Sequence, residues 1–166
     1  MDKLKALRYI IYSVLIILIF LLQSSFRLSI FGYKAELLLP FLIAVSMFDG
    51  EKAGAVFGLL TGFLADYAAD TAVGFHALFY MFACYFAGLL FQSLLRKNIL
   101  TYMALCALAL CAHGMLIFLV FFAAADIPFV SAGAAGNIFI RPLVSAPIPA
   151  IYYMFFNLHK KEENIQ

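Results

Sequence analysis

Charge is scarce in this sequence. Asp, Glu, Lys and Arg together make up 12% of its 166 residues, about half of the roughly 25% usual in a soluble domain, and the mean hydropathy is +1.03. That little charge excludes a water-soluble fold. The balance of eleven basic against nine acidic residues leaves a net charge of +2, too small and too dispersed to bind nucleic acid. Cysteine is scarce as well. Cys84, Cys106 and Cys111 lie in apolar stretches at spacings that match no zinc or redox motif, so they read as small packing residues. There is no Gly-rich phosphate loop, and His76, His113 and His159 fall on different predicted elements. No catalytic constellation, cofactor site or metal site is predicted, and the expectation is that the chain is not an enzyme.

What is present is length without charge. Tyr9 to Phe26, Thr71 to Leu95 and Asn98 to Ala125 contain no Asp, Glu, Lys or Arg, and ~18 or more such residues suffice to cross a ~30 Å hydrocarbon layer. Barrel strands would be ~10 residues long with strict alternation, which these runs lack. The expected class is an all-α integral membrane protein, a six-helix bundle forming one domain over 1–166. The basic start, Lys3, Lys5 and Arg8 before an apolar run, imitates a signal peptide, but Gln23-Ser24-Ser25-Phe26 offers no small-x-small cleavage site. It is read as a retained first helix.

The six helices are predicted at about Leu7–Phe26, Ala35–Phe48, from the polar turn Asp49–Lys52 to Ala68, Val73–Leu95, Ile99–Ala125 and Asn137–Phe156. Gly32-Tyr33-Lys34 reads as a turn, and Ile127 to Gly136 as a loop of small residues. The second and third helices look short for complete crossings, so the pair is either a tilted or a re-entrant hairpin. Pro142, Pro147 and Pro149 predict a kinked sixth helix. Tyr9, Tyr12, Tyr152, Tyr153, Phe155 and Phe156 read as interfacial anchors.

Six crossings place both termini on one side. Lys3, Lys5, Arg8, Lys52, Arg96, Lys97, Lys160 and Lys161 fall on that side, against Arg27 and Lys34 on the other. The termini are therefore expected in the cytoplasm.

The candidate functional stretch is 54–88. Gly54, Gly58 and Gly62 recur every four residues, and Asp66 and Asp70 continue the spacing. On a helix this is a smooth packing stripe with a charged tip. Its contacts are either internal, with Ala77, Cys84 and Gly88 as the matching small face, or with a partner's helix. Charge inside a membrane needs explanation. Asp66, Asp70, His76, Asp126 and Arg141 all fall towards the predicted extracytoplasmic end, where Arg141 either neutralises Asp66 or Asp70, or the cluster docks a partner or lines a proton or solute path. His113, mid-helix beside Gly114, reads as a neutral interhelical donor, with ligand or proton relay as the other reading.

Leu37-Leu38-Leu39-Pro40 opens an apolar helix, and Gly58-x-x-x-Gly62-Phe63-x-x-Asp66 follows a polar turn. Gly74-Phe75-His76-Ala77-Leu78 then precedes Tyr85-Phe86-Ala87-Gly88. This motif order resembles the rod shape-determining protein MreD family of the bacterial cell-elongation machinery. Where many members carry Pro-Asp before the second helix this chain has Ala35-Glu36, and Gly-Phe-His-Ala stands for a common Gly-x-Asn-Ala. The resemblance implies a non-enzymatic scaffold in the bacterial cytoplasmic membrane. Its partners would be a bitopic MreC-like protein and, indirectly, the MreB filament and the peptidoglycan synthases. The family fold is also similar to the substrate-binding S component of energy-coupling-factor vitamin transporters, which is the alternative function. On the scaffold reading Gly54, Gly58, Gly62, Asp66, Asp70, Gly74, His76 and Arg141 are the packing and partner-binding candidates. Asp66 is expected to matter more for partner capture than for folding, with Arg141 as its counter-charge.

Overall fold

The computed structural model describes residues 2–25, 29–30, 33–34, 36–69, 74–95, 97–124, 145 and 147–154. Five long helices are α1 (Asp2–Ser25), α2 (Leu38–Asp49), α3 (Glu51–Ala69), α4 (Phe75–Ser93) and α5 (Ile99–Ala124). A sixth, α6, is described over 147–154. Between α1 and α2 the strands β1 (Ser29–Ile30) and β2 (Tyr33–Lys34) pair antiparallel, Ser29 opposite Lys34 and Ile30 opposite Tyr33. Tyr33 and Lys34 thus belong to a small hairpin's second strand, where a turn had been expected.

Segments of α1 (Leu7–Ser24), α4 (Phe75–Ser93) and α5 (Ile99–Ile117) are long and apolar enough to cross a membrane. The expectation of two short helices holds for α2, with 12 residues, about 18 Å at the α-helical rise. It does not hold for α3, whose 19 residues equal α4; of the predicted polar turn, Glu51 and Lys52 belong to its own first turn. The bend between α2 and α3 is made by one residue. Gly50 adopts φ 98° and ψ 175°, a region essentially closed to residues with a Cβ. Gly50→Ala is expected to cost about 1–3 kcal/mol, read as a lowered thermal midpoint of the detergent-solubilised protein.

Helix α2 is apolar all round, and every residue from Leu38 to Met47 is buried. A helix of that composition belongs inside a bundle, and α2 touches α1, α3, α4 and α5. The most extensive packing is between α3 and α4. Helices α3 and α4 therefore form a tight pair, but the centre of the bundle is α2. Tyr102 of α5, fully buried, donates its hydroxyl to the Pro40 carbonyl of α2 at 2.6 Å.

At the α2–α3 junction the helices are tied by charge. Asp49 accepts from Arg8 Nη1 at 3.1 Å and from the Tyr12 hydroxyl at 2.6 Å, both on α1. Tyr12 is buried against Phe41 and Phe57, so it latches α1 to α2 and is not the interfacial anchor expected. Tyr152 likewise packs edge-on against Phe41 and Tyr153 donates to the Lys97 carbonyl, whereas Phe155 and Phe156 lie outside the described residues. Tyr12→Phe is expected to cost about 1.5–3 kcal/mol, the usual worth of a hydrogen bond to a charged group. In an Asp49→Asn background the same change should cost about half as much, and thermal unfolding of the two pairs checks this.

Candidate functional site

The stripe of glycines decides where α3 and α4 meet. A Cβ placed on Gly62 would lie 2.2 Å from Ala77 Cα, and one on Gly58 would lie 2.7 Å from the Tyr80 carbonyl oxygen. Both are backbone atoms of α4, so the two helices are in main-chain contact through positions that only glycine can fill. Gly88 of α4 returns the arrangement at the other end, with Glu51 Cα 2.5 Å from its would-be Cβ. Gly54 turns elsewhere, onto Ser46 of α2. The stripe is used within the chain.

One turn past Gly62, the close approach puts Asp66 at the start of α4. The first amides of a helix have no intrahelical acceptor, and the residue at the N-cap, Gly74, has no side chain to offer and a φ of 104°. Asp66 supplies the missing acceptor from the neighbouring helix. Its Oδ2 accepts from the Gly74 N–H at 2.9 Å and the Ala77 N–H at 3.2 Å, and its Oδ1 from the His76 N–H at 2.8 Å. The His76 ring adds a contact from Nδ1 to Oδ1 at 2.8 Å. A carboxylate at a helix N-terminus is also favoured by the helix dipole. Asp66 is 2% exposed, and its partners are these amides and the imidazole. It does not stand on a surface.

A second carboxylate lies beside the first. Glu36, immediately before α2 and 6% exposed, accepts from the Tyr80 hydroxyl of α4 at 2.8 Å. It also meets His113 Nδ1 of α5 at 2.9 Å through Oε1 and 3.0 Å through Oε2. Its own N–H donates to Ser145 Oγ at 3.2 Å. A carboxylate that is ionised only accepts, so in that form it calls for the Nδ1–H tautomer of its histidine. The two pairs adjoin: the His76 and His113 rings are 5.2 Å apart and edge-on, and Phe79 stacks on His113 at 4.9 Å. His113 Nε2 is buried with no hydrogen-bond partner among the described residues.

Of the predicted site residues, Gly58, Gly62, Asp66, Gly74 and His76 come together, and Gly54 lies further along α3 against α2. Asp70 and Arg141 lie outside the described residues, as does Asp126. The expected Arg141 counter-charge therefore has no described geometry, and His76 is the described ionisable partner of Asp66. His113 is not the lone donor expected, since it has an acid of its own. Sequence reasoning missed Glu36, Tyr80 and Ser145. The available signal was Glu36 itself: a carboxylate ahead of the uncharged run 37–48 needs partners from other helices. Among the described residues no group of three or more His, Cys, Asp and Glu could hold a metal ion. What the arrangement does chemically is satisfy two buried carboxylates and a helix end.

The sequence model of the family described as rod shape-determining protein MreD matches residues 3–160. No curated protein and no solved structure matches the chain.

Proposed function

The chain belongs to the rod shape-determining protein MreD family, and from that premise we propose that it is a non-enzymatic scaffold subunit of the bacterial cell-elongation complex. Membership implies a role in rod shape determination, and the three apolar spans suit a multi-pass protein of the cytoplasmic membrane. The further reading is that both termini are cytoplasmic and that the end of the bundle carrying Asp66 faces outward. There it offers a surface to an MreC-like bitopic partner, and through that partner to the MreB filament and the peptidoglycan synthases.

The observation that carries the scaffold reading is the fate of the buried polar groups. Asp66 and Glu36 are occupied by helix amides, histidines and a tyrosine of the same chain. Side chains spent in this way give a defined shape to one end of the bundle, which is what an assembly subunit needs. The test is affinity purification of the tagged protein from native membranes in mild detergent, with mass spectrometry of co-eluting proteins and small molecules. Recovery of an MreC-like protein in comparable amount is expected. Recovery of a vitamin with an ATPase module would contradict the scaffold reading and favour the transporter.

A further inference from the structure

We infer that Glu36 is the positioning residue of the Asp66 end: through Tyr80 and His113 it fixes the first turns of α4, and with them the surface that the proposed scaffold presents. The second half of that statement rests on the scaffold reading; the first does not.

Asp66 holds α4 at the amides of Gly74, His76 and Ala77. Tyr80 lies four residues beyond His76 and so on the same helix face, and there Glu36 holds α4 again through the tyrosine hydroxyl. The second route runs through α5. Glu36 orients His113, whose ring lies edge-on to His76 at 5.2 Å and to Tyr80 at 5.5 Å. His76 in turn is the side chain bonded to Asp66. Glu36 also takes Ser145, two residues before Pro147, as acceptor for its N–H. One residue outside any helix therefore touches α4, α5 and the helical Ser145. Such a buried network holds its members more tightly than the same bonds in water, and a missing member leaves donors stranded.

The experiment is hydrogen–deuterium exchange of the purified full-length protein, followed on peptides covering 74–80 and, as a reference, on peptides from the α2–α3 junction at the opposite end. Glu36→Ala is expected to accelerate exchange in 74–80 about tenfold while leaving the junction unchanged. Glu36→Gln keeps an acceptor for Tyr80 and should recover most of the protection. Uniform acceleration through the bundle, no acceleration, or a glutamine variant no better than alanine would overturn the inference. If Glu36→Ala does not accumulate, Tyr80→Phe removes only the one hydroxyl: acceleration confined to 74–80 supports the inference and unchanged exchange overturns it. Capture of an MreC-like protein per folded molecule should follow the same order, lowest for alanine and restored by glutamine. A wild-type protein that captures no such partner would end the scaffold reading, and the exchange result would still decide the role of Glu36.

Discussion

Gly62→Leu is expected to leave less than about a tenth of the wild-type amount of protein in the membrane. The reason is geometric. Even the first carbon of a side chain at Gly62 would lie 2.2 Å from Ala77 Cα, with the Ala77 nitrogen at 2.6 Å, and backbone cannot give way as the end of a flexible side chain can. Overpacking by a few methylenes in a yielding core costs ~1–3 kcal/mol; forcing two helices apart at main-chain contact costs more and also withdraws Asp66 from the amides it caps. Losses of ~1–2 kcal/mol already change cellular abundance several-fold. Gly62→Ala should be clearly destabilising too, and Gly74→Ala less so, since nothing lies within 4 Å of a Cβ there and only the positive φ opposes it. Quantitative blotting of membrane fractions reads all three. Near-normal abundance of the leucine variant would mean that α3 and α4 are not in backbone contact.

The second large effect belongs to Asp66. Asp66→Ala strands three amide donors in a buried site and removes the carboxylate bonded to the His76 ring, a loss comparable to breaking a buried charged pair, ~3–5 kcal/mol. Asp66→Asn keeps one acceptor oxygen but turns an amide group towards donors, so it should recover only part. Stability and partner capture are expected to fall together across the two variants, because the same contacts that fold the start of α4 shape the end of the bundle. The thermal midpoint in detergent and the yield of co-purified partner are the two readouts. A variant that kept the wild-type midpoint yet lost its partner would restore Asp66 as a docking residue.

Much of this arrangement was legible beforehand, and the reasons differ by element. Uncharged runs identify α1, α4 and α5 because a membrane span must be apolar along its whole length. Glycine spacing identifies the α3–α4 contact because the i, i+4 stripe survives translation into three dimensions. It also led to Asp66, since the charge continues the stripe. What the carboxylate does there was not legible. Its partners are backbone amides eight to eleven residues further on, and backbone groups carry no sequence signal. Glu36, Tyr80, His113 and Ser145 come from four separate segments, the first and the last 109 positions apart, and no local pattern links such a set. Tyr12 was misjudged for the same reason: an aromatic near a basic end looks like an interfacial anchor until the Asp49 carboxylate is seen above its hydroxyl. The length of α3 was underestimated because Glu51 and Lys52 read as a turn, although charged residues are at home in a helix's first turn.

The central claim is that the end of the bundle carrying Asp66 is the one that meets the partner. Tyr67, next to Asp66 on α3, is 90% exposed, and Leu100, at the start of α5 at the opposite end, is 78% exposed. Placing a photo-crosslinking amino acid at either position in cells makes the most direct test. A cross-link from position 67 to an MreC-like protein, and none from position 100, is the expected result. A cross-link to that protein from position 100 alone would contradict it.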